Sequence, residues 1–417
     1  MTPSRPVDAN SRVAIVGASL GGLATAAGLR ERGYEGEVVV VEGERLLPPN
    51  RPPLSKEVLT GERTLDESPQ PEAANLEALR LDLRLGVRAT ALDVEQRVLT
   101  TEDGATIDSD AVVLAAGSEP RRPPIPGASR PGVHVLRTAA DAMGLRAELA
   151  EGPARVLVVG AGFIGLEVAS SARSLGIEVT VVEAFATPAS RVLPAEAGAA
   201  LAKVALAAGV DLRTELSVTE LLGATGSAGA AEDAPVAAAR LSDGSTVEAS
   251  VVLLAVGAAP VTDWLANTPG LTVDDGVVAD ATCLAAPGVA VVGDVARWWH
   301  EGYREHIRVE HWDNAIEMGR YVAGRLLSGD DVAPYTPVPW FWSHQFGAKF
   351  QLTGRVRPGD RLAFVDGTPD DAAWVAVSHD GNRVFAALGM NRNPKVMRLR
   401  MRMDSPGGLS LAEAVDG

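Results

Sequence analysis

Hydrophobic residues occur along the chain in short runs, separated by glycine-rich turns and by segments rich in alanine and leucine. Residues 12–17 form an apolar run ending in glycine, residues 20–32 have the composition of a helix, and residues 37–42 form a second β-branched run. The same order recurs further along the chain, at residues 155–160, 161–175 and 177–183. Each repeat predicts a strand–turn–helix–strand unit, and their distance along the chain places them in separate domains.

Two further apolar runs, residues 111–117 and 251–257, end in glycine and are followed within three residues by proline. We interpret each as a buried strand that stops where the chain crosses between domains. The predicted linker and surface loop are residues 120–131 and 223–235. The expected division is a discontinuous first nucleotide-binding domain at 10–118 and 254–328, a second at 119–253, and a C-terminal α+β domain at 329–417.

The C-terminal part has a different pattern, because short apolar runs alternate with turn signals such as Asp366-Gly367 and Asp380-Gly381. This pattern predicts a small, mostly antiparallel sheet, followed by a helix at residues 393–402. The predicted strands contain residues 340–342, 349–353, 361–365, 373–377 and 384–388.

Composition narrows the classes of protein that the chain can belong to. Its 417 residues are 46% hydrophobic and 22% charged, which is typical of a globular protein with sizeable cores. The net charge of −16 argues against a nucleic-acid partner. A single cysteine, Cys283, excludes an internal redox disulfide and a cysteine-ligated iron–sulfur cluster, and no metal site is expected. Without a recognisable signal peptide or membrane span, we expect a cytoplasmic location.

The first glycine-rich turn, Gly17 to Gly22, has the first and third glycines of the pattern Gly-x-Gly-x-x-Gly, with Ser19 in the middle position. The first glycine allows a tight bend, the third lets the helix approach the strand, and a small middle residue leaves main-chain N–H groups open to a pyrophosphate. Glu42 ends the next strand, where a carboxylate accepts hydrogen bonds from ribose hydroxyls. The combination predicts a nucleotide site, although a βα turn without a ligand can have similar glycines.

The second turn, Gly160 to Gly165, has all three glycines, and Glu183 ends the following strand. A carboxylate at this position favours the free 2′-hydroxyl of NADH and repels the 2′-phosphate of NADPH. Residues 184–186 contain no basic side chain that would offset this repulsion. We therefore expect NADH to be preferred over NADPH.

Two dinucleotide turns in one chain indicate a bound flavin and an exchangeable nicotinamide nucleotide, since a simple dehydrogenase needs one such site. The glycine spacing leaves open which turn binds which. Asp294, after a strand-like run, is a candidate ligand for a ribityl chain, although Gly-Asp is also common in ordinary turns.

Longer motifs are more specific than the glycine turns. The most specific are Arg51-Pro-Pro-Leu-Ser-Lys56 and Pro339-Trp-Phe-Trp-Ser343, and the others include Gly160 to Glu167, Ser190 to Pro194, Gly293-Asp294 and Glu310 to Ala315. Together with the first turn, they resemble the putidaredoxin reductase-like group of FAD-dependent NADH:ferredoxin reductases from bacterial oxygenase systems. The resemblance covers nearly the whole chain.

The resemblance implies an α/β fold with two Rossmann-like dinucleotide-binding domains and a small C-terminal α+β domain, as in glutathione reductase. It assigns FAD to the first turn and NADH to the second. The implied FAD-binding residues are Gly17, Ala18, Ser19, Gly22, Glu42, Arg51, Lys56, Val87, Ala116, Gly117, Arg137, Asp294, His311 and Trp312. The implied nicotinamide-nucleotide residues are Gly160, Gly162, Phe163, Ile164, Gly165, Glu183, Arg191 and Gly257.

The same resemblance implies catalytic roles for Lys56, Glu167 and Trp312. Lys56 would lie beside the flavin, where a cation in a dry site stabilises negative charge on the reduced ring. Glu167 would pair with Lys56 and offset the cost of burying either charge alone, while Trp312 would approach the isoalloxazine ring. The alternative is that Lys56 and Glu167 are surface charges and that the tryptophans are packing residues. His344 departs from the family pattern, because relatives commonly have an acidic residue there.

The implied partner is a small iron–sulfur ferredoxin. Ferredoxins are usually acidic, and because this chain is acidic as well, docking requires a local basic patch. The two candidate clusters are Arg297, Arg304 and Arg308, and Lys395, Arg398, Arg400 and Arg402. Either could also be an ordinary charged surface.

Two other functions remain open. One is an NADH oxidase or diaphorase with a different acceptor, such as rubredoxin. The other is a non-catalytic flavoprotein that changes shape when it is reduced.

Overall fold

The computed structural model describes residues 6–152, 155–224 and 234–416. The loop expected at residues 223–235 therefore lies largely outside the described residues. Contacts divide the chain into two compact units. Unit 1 contains residues up to 50, 68–119 and 259–339, and unit 2 contains residues 51–67, 120–258 and those from 340 onward.

Secondary-structure elements are numbered in chain order over the described residues. The strands are β1 Arg12–Val16, β2 Glu37–Glu42, β3 Asp82–Leu85, β4 Ala89–Asp93, β5 Val98–Thr101, β6 Thr106–Asp108, β7 Ala111–Leu114, β8 Ser118–Pro120, β9 Val133–His134, β10 Arg155–Val159, β11 Glu178–Val182, β12 Asp211–Arg213, β13 Val218–Gly223, β14 Val236–Leu241, β15 Thr246–Glu248, β16 Val251–Leu254, β17 Ala258–Pro260, β18 Val277–Ala279, β19 Leu284–Ala286, β20 Val289–Val291, β21 Ala296–His300, β22 Glu305–Arg308, β23 Trp340–Gln345, β24 Ala348–Gly354, β25 Arg361–Asp366, β26 Trp374–His379, β27 Arg383–Met390 and β28 Leu409–Ser410. The helices are α1 Leu20–Glu31, α2 Glu57–Thr60, α3 Ala139–Ala150, α4 Phe163–Ser174, α5 Ala195–Ala207, α6 Trp312–Ser328, α7 Asn393–Met403 and α8 Leu411–Asp416. Short 3-10 helices are Pro52–Ser55, Pro71–Leu79, Asp263–Leu265 and Gly293–Val295.

Unit 1 is built on a sheet with the strand order β19-β20-β7-β1-β2-β3. Its strands from β20 to β3 are parallel, and β19 pairs with β20 in the antiparallel sense. Strands β1, β2 and β7 are almost continuously apolar and buried, as expected for a parallel sheet that is covered on both faces. Smaller sheets of β4-β5-β6 and β18-β21-β22 complete the unit.

Helices α1 and α6 pack together closely because glycines lie at their contact. A Cβ on Gly319 would come within 2.6 Å of the main-chain oxygen of Gly21, and a Cβ on Gly28 would meet the side chain of Ala323 at 2.9 Å. Residues 20–29 of α1 are consequently buried on every side. This packing fixes the N-terminal ends of α1 and α6, where several predicted site residues lie.

Unit 2 has a parallel sheet of its own, with the order β12-β11-β10-β16-β9. Between β12 and β16, the chain forms a separate antiparallel sheet of β13-β14-β15. The C-terminal strands form an antiparallel sheet with the order β23-β24-β27-β26-β25, and β28 pairs with β27. One face of this sheet shares a hydrophobic core with β10, β16 and α4, and the other packs against α7.

The predicted α/β architecture with two Rossmann-like modules and a C-terminal sheet is confirmed. The three-domain division stays a prediction. The chain passes between units next to Glu119 and Ala259, but the C-terminal sheet and residues 51–67 belong to the same compact unit as the second module. Across the described residues, no helix has the length and apolar character that a membrane crossing needs.

Candidate active site

The first glycine turn joins β1 to α1 in unit 1. Gly17 has a φ of 108°, and a Cβ on it would lie 2.3 Å from the main-chain oxygen of Ala115 at the end of β7. A Cβ on Gly22 would lie 1.9 Å from the main-chain oxygen of Gly17. Side chains therefore cannot occupy either position, and the turn presents bare main chain to a ligand.

Glu42 braces this turn from the end of β2. One carboxylate oxygen accepts a hydrogen bond from the N–H of Ala18 at 2.8 Å, and the other accepts one from the N–H of Glu44 at 2.9 Å. The N–H of Val87 donates to the main-chain oxygen of Glu42 at 2.8 Å, so the predicted adenosine residues lie together. Each carboxylate oxygen can accept a further hydrogen bond, which suits ribose hydroxyls.

The N-terminus of α1 suits a diphosphate. Ser19 is the N-cap residue, its side chain makes no capping hydrogen bond, and no acidic residue lies in the first turn. The first N–H groups of a helix attract anions because they carry partial positive charge. Bare main chain, an uncapped helix start and an acidic strand end together fit the pyrophosphate and adenosine of FAD.

Three of the residues predicted for the flavin end, Asp294, His311 and Trp312, lie in unit 1. A Cβ on Gly21 would lie 2.6 Å from the side chain of Val292, which leads into the 3-10 helix carrying Asp294. Asp294 accepts a hydrogen bond from the Ser118 hydroxyl at 2.8 Å. This places Asp294 beside the start of α1.

Helix α6 has His311 as its N-cap residue and Trp312 as its first residue. The indole N–H of Trp312 donates to the Asn50 side chain at 2.8 Å, which fixes the plane of the ring. Ala116 and Gly117 follow β7, and Gly117 has a φ of 72° that favours glycine.

The second turn repeats the geometry of the first in unit 2. Gly160 has a φ of 103°, and its Cβ would lie 2.5 Å from the main-chain oxygen of Ala255. Glu183 accepts hydrogen bonds from the N–H groups of Ala161 at 2.7 Å and Phe185 at 3.0 Å. A Cβ on Gly165 would lie 2.2 Å from the main-chain oxygen of Gly160. These residues fit a second dinucleotide for the same physical reasons.

The surroundings of the second turn are open and partly apolar. A Cβ on Gly162 would meet nothing within 4 Å, and the side chains of Ile164 and Phe185 are half exposed. Arg191 lies over the Phe185 ring, with its guanidinium carbon 5.9 Å from the ring centre, and donates to the main-chain oxygen of Val256 at 3.3 Å. A Cβ on Gly257 would approach that guanidinium to 3.0 Å.

Phe163 differs from its predicted neighbours. Its ring packs against Phe341 and Phe350, with ring centres at 4.5 and 5.7 Å, and therefore faces the C-terminal sheet. Its part in nucleotide binding would be limited to the main-chain N–H at the start of α4.

Lys56 and Glu167 form a buried ion pair in unit 2. The Lys56 ammonium lies 2.5 Å from one carboxylate oxygen of Glu167, and the exposed fractions of the two side chains are 16% and 9%. The hydroxyl of Ser55 donates to the same oxygen at 2.6 Å and accepts from the Lys56 ammonium at 3.1 Å. The Ser343 hydroxyl donates to the other carboxylate oxygen at 2.7 Å. The prediction that these two residues pair agrees with this geometry, and the alternative of two solvated surface charges does not.

Helix α4 positions Glu167 through a stripe of residues spaced three or four apart. Phe163, Glu167 and Ser170 all contact β23 or the turn after it, because the N–H of Phe346 donates to the Ser170 hydroxyl at 2.7 Å. Ser171, one turn beyond Glu167, donates to the main-chain oxygen of Ser55 at 2.7 Å. A helix that begins at the nucleotide turn thus carries the partner of Lys56 one turn later.

Three of the predicted FAD residues, Arg51, Lys56 and Arg137, belong to unit 2, whereas the others belong to unit 1. Arg51 precedes the 3-10 helix that leads to Lys56. The main-chain N–H of Arg137 donates to Asp141 at 3.1 Å near the start of α3. Their assignment to FAD stays a prediction.

The two candidate docking clusters differ in how far their charges are neutralised. Arg297 pairs with Asp274, and Arg308 pairs with both Asp275 and Glu310. Burial lowers the pKa of Arg308, but hydrogen bonds and charge from Glu310 and Asp275 outweigh it and raise the pKa overall. Arg304 is exposed, and its side chain makes no ion pair with any described residue.

Helix α7 carries the second cluster and contains no acidic residue. Lys395 lies 3.8 Å from the Asp366 carboxylate, and Arg402 lies 3.9 Å from the Glu413 carboxylate and donates to the main-chain oxygen of Glu413 at 3.0 Å. The Arg400 guanidinium lies 5.7 Å from the ring centre of Trp340, which stacks on Trp342 at 4.8 Å. Arg398 is exposed and has no ion pair within the described part of the chain.

His344 lies on β23 two residues after Trp342 and faces Lys349 on β24. Burial lowers the pKa of His344, and the positive charges of Lys349 and Lys56 lower it further. The side chain is therefore neutral at neutral pH, where an acidic residue would carry a charge.

Two braced dinucleotide turns without a redox disulfide define the class of the protein, a two-nucleotide oxidoreductase that binds a flavin and a nicotinamide nucleotide. Cys283, the one cysteine, is buried, and burial raises its pKa well above the usual value. The chain consequently lacks the dithiol of the disulfide reductases that share this fold.

Residues 11–319 match the family described as "Pyridine nucleotide-disulphide oxidoreductase", and residues 340–417 match "Reductase C-terminal". The chain is 31% identical to rhodocoxin reductase of Rhodococcus erythropolis over 97% of this chain and 92% of that protein. It is 34% identical to the ferredoxin–NAD(+) reductase component of the anthranilate 1,2-dioxygenase system of Burkholderia cepacia, over 90% of each chain. The reductase in the covalent putidaredoxin reductase–putidaredoxin complex superimposes with a TM-score of 0.86 at 30% identity, covering 94% of this chain and 93% of that one.

The chain therefore belongs to the pyridine nucleotide-disulphide oxidoreductase family, in the branch with a reductase C-terminal domain. The predicted family, fold, enzyme class and use of FAD with a nicotinamide nucleotide are confirmed. The sequence did not single out Asn50, Ser55, Ser118 or Ser343 as site residues. Ser55 and Ser343 lie inside specific motifs, but their partner Glu167 is distant in sequence. No local sequence pattern therefore indicates that either serine binds it.

Proposed function

We propose that the chain passes electrons from NADH through FAD to a small iron–sulfur ferredoxin that feeds an oxygenase. The main observation behind the proposal is that the same nucleotide-binding geometry occurs twice. In each module, a glycine turn without side chains is held by a hydrogen bond to a glutamate at the next strand end, Glu42 or Glu183. The names of the relatives support the choice of acceptor, since two of them are reductases of ferredoxin-dependent systems. We also propose a cytoplasmic location.

In this proposal the Gly17 turn, Glu42 and Val87 hold the adenosine and pyrophosphate of FAD, and Asp294 holds its ribityl chain. The Gly160 turn, Glu183 and Arg191 hold NADH. Bound FAD supplies the chemistry, because it accepts two electrons as a hydride and releases them singly. The protein aligns the two nucleotides and sets the electrostatic environment, and Lys56 would place a cation beside the flavin.

For the ferredoxin, we propose docking on the α7 basic surface, which we define as Lys395, Arg398, Arg400 and Arg402 together with Trp340 and Trp342. Arg398 is exposed and has no ion pair among the described residues, and Arg400 lies over the ring of Trp340, which stacks on Trp342. The positive charges would attract an acidic partner over long range, and the aromatic rings would supply apolar area that is buried when the partner docks. Acidic neighbours pair with Arg297 and Arg308, and Asp366 and Glu413 likewise lie near Lys395 and Arg402. The choice of α7 therefore rests on the exposed Arg398 and on the contact of Arg400 with Trp340.

The central test is anaerobic reduction of the FAD-loaded protein, followed by mixing with candidate acceptors. We expect a yellow protein that NADH bleaches rapidly and NADPH slowly. The reduced protein should then transfer electrons to a ferredoxin much faster than to oxygen or rubredoxin. Stopped-flow absorbance at the flavin band measures each step.

The other outcomes identify the alternatives. Rapid reoxidation by oxygen alone would indicate an NADH oxidase. Slow reoxidation by every acceptor, with a changed sedimentation coefficient on reduction, would indicate a redox-switched flavoprotein. A colourless chain that cannot take up FAD would overturn the proposal.

A further inference from the structure

Ser343 lies where three segments of unit 2 that are distant in sequence meet. The 3-10 helix at 52–55 brings Ser55 and Lys56, α4 brings Glu167, and β23 brings Ser343. Glu167 has an exposed fraction of 7%, and Ser343 of 1%. A buried carboxylate requires several hydrogen-bond donors, and here the 52–56 segment supplies two of them and β23 a third.

The donors divide between the two oxygens of Glu167. One oxygen accepts from the Ser55 hydroxyl and the Lys56 ammonium, at 2.6 and 2.5 Å. The other accepts from Ser343 at 2.7 Å. Because each oxygen accepts from a different segment, the carboxylate has little freedom to rotate, and the position of the ammonium is held with it.

Ser343 is itself oriented by a neighbour. The Gln345 amide, on the same face of β23, donates to the Ser343 hydroxyl at 3.4 Å, so the hydroxyl hydrogen is directed to Glu167. Lys56 uses two of its three N–H groups on Ser55 and Glu167, and the third has no partner among the described residues. The network therefore presents one N–H of a positioned cation for use elsewhere.

We propose that Ser343 is a positioning residue that holds the Lys56–Glu167 pair in register for the flavin. Among the described residues, the hydrogen bonds of Ser343 go to Glu167 and Gln345, so it would act on Lys56 through Glu167. The inference rests on the proposed function, because it assigns Lys56 to the flavin.

The test compares Ser343→Ala with a matched control, Ser378→Ala. Ser378 is equally buried, lies in the same sheet, and donates to the Asp360 carboxylate at 2.9 Å. Loss of either hydroxyl should therefore lower the melting temperature by a similar amount. Ser343→Thr retains a hydroxyl and a residue type that strands favour, and it serves as the rescue variant.

In the apoprotein, an amine-reactive reagent followed by mass spectrometry measures how firmly Lys56 is held. We expect Ser343→Ala to label Lys56 about fivefold faster, because a lost hydrogen bond to a charged group loosens its partners. Ser343→Thr and Ser378→Ala should label it at the parent rate. Unchanged labelling in Ser343→Ala would overturn the proposal, whether or not the protein binds FAD.

In the FAD-loaded protein, Ser343→Ala should shift the flavin reduction potential to more negative values, because the cation is held less firmly. The limiting rate of reduction by NADH should fall about tenfold, while the Kd for NADH stays within about twofold. A potential and limiting rate equal to those of Ser378→Ala would overturn the role toward the flavin. A parent protein without flavin would overturn the proposed function and leave the labelling result intact.

Discussion

Glu42 and Glu183 occupy equivalent positions in the two modules, and each braces its turn through two main-chain N–H groups. In the proposed function, their roles differ only through the nucleotide that each module would bind. Because the bracing is the same, the pair allows the effect of charge on nucleotide choice to be separated from the effect on the turn.

We predict that Glu183→Gln lowers the preference for NADH. Neutralising the carboxylate removes its repulsion of a 2′-phosphate, so the ratio of kcat/KM for NADH to that for NADPH should fall about tenfold, equivalent to about 1.4 kcal/mol. Steady-state kinetics of the FAD-loaded variant measure this ratio. The control, Glu42→Gln, should weaken FAD binding and leave the ratio unchanged. An unchanged ratio in Glu183→Gln would mean that the residue acts only as a brace.

Residues in local motifs could be predicted from the sequence, whereas contacts between distant segments could not. The glycines and the two glutamates could be assigned from spacing, because the turn and the strand end are local. Ser343 and Glu167 lie 176 positions apart, and only the folded chain brings them within hydrogen-bond distance. Phe163 was predicted to bind the nucleotide because it lies within the glycine motif, yet its ring packs against Phe341 and Phe350 of β23 and β24.

At the scale of elements, both βαβ units and the five principal C-terminal strands occur where the hydrophobic pattern predicted them. These elements could be predicted because each is a short apolar run, or a segment of helical composition, bounded by its own turn signals. The pairing of β23 with the α4 stripe could not be predicted, since nothing in either segment alone specifies the other. Helix α7 was predicted at residues 393–402 and occurs at Asn393–Met403. The pairing of Arg297 and Arg308 with acidic residues could not be predicted, because it depends on tertiary contacts.

We predict that reversing one exposed charge on helix α7 weakens the docking of the ferredoxin. Arg398→Glu should raise the KM for ferredoxin about fivefold and weaken its dependence on salt, while the rate of flavin reduction by NADH stays unchanged. Arg304→Glu is a matched control, because Arg304 is also exposed and without an ion pair among the described residues. We expect it to change the KM less than about twofold. A larger effect for Arg304 would move the docking site to the hairpin of β21 and β22.

At the scale of the whole molecule, the single cysteine, Cys283, lies in unit 1. Its reaction with a thiol reagent therefore reports the opening of unit 1 and not that of unit 2. Cys283 is fully buried, and its raised pKa disfavours the reactive thiolate. A thiol reagent can therefore reach it only when unit 1 opens.

We predict that FAD slows the labelling of Cys283 and that NADH alone does not. The Gly17 turn belongs to the same unit as Cys283, and a ligand that binds only the folded form suppresses opening by the factor 1 + [L]/Kd. The absorbance of the released thiolate from a disulfide reagent, recorded with increasing FAD, measures the suppression. Equal protection by NADH alone would show that the two units open together. No protection by FAD would place the flavin outside unit 1.

Strand β23 separates two kinds of side chain by the simple alternation of a strand. Phe341, Ser343 and Gln345 face α4, whereas Trp340, Trp342 and His344 face the side covered by α7. If the electron acceptor docks on the α7 basic surface as proposed, a protein engineer could retarget the enzyme by varying Trp340 and Trp342 while keeping the odd-numbered positions. Recognition could then be redesigned while the Lys56–Glu167 pair stays intact, although the two sets of residues are immediate neighbours in the chain. His344 would be left unchanged, because the charge of Lys56 already influences its pKa.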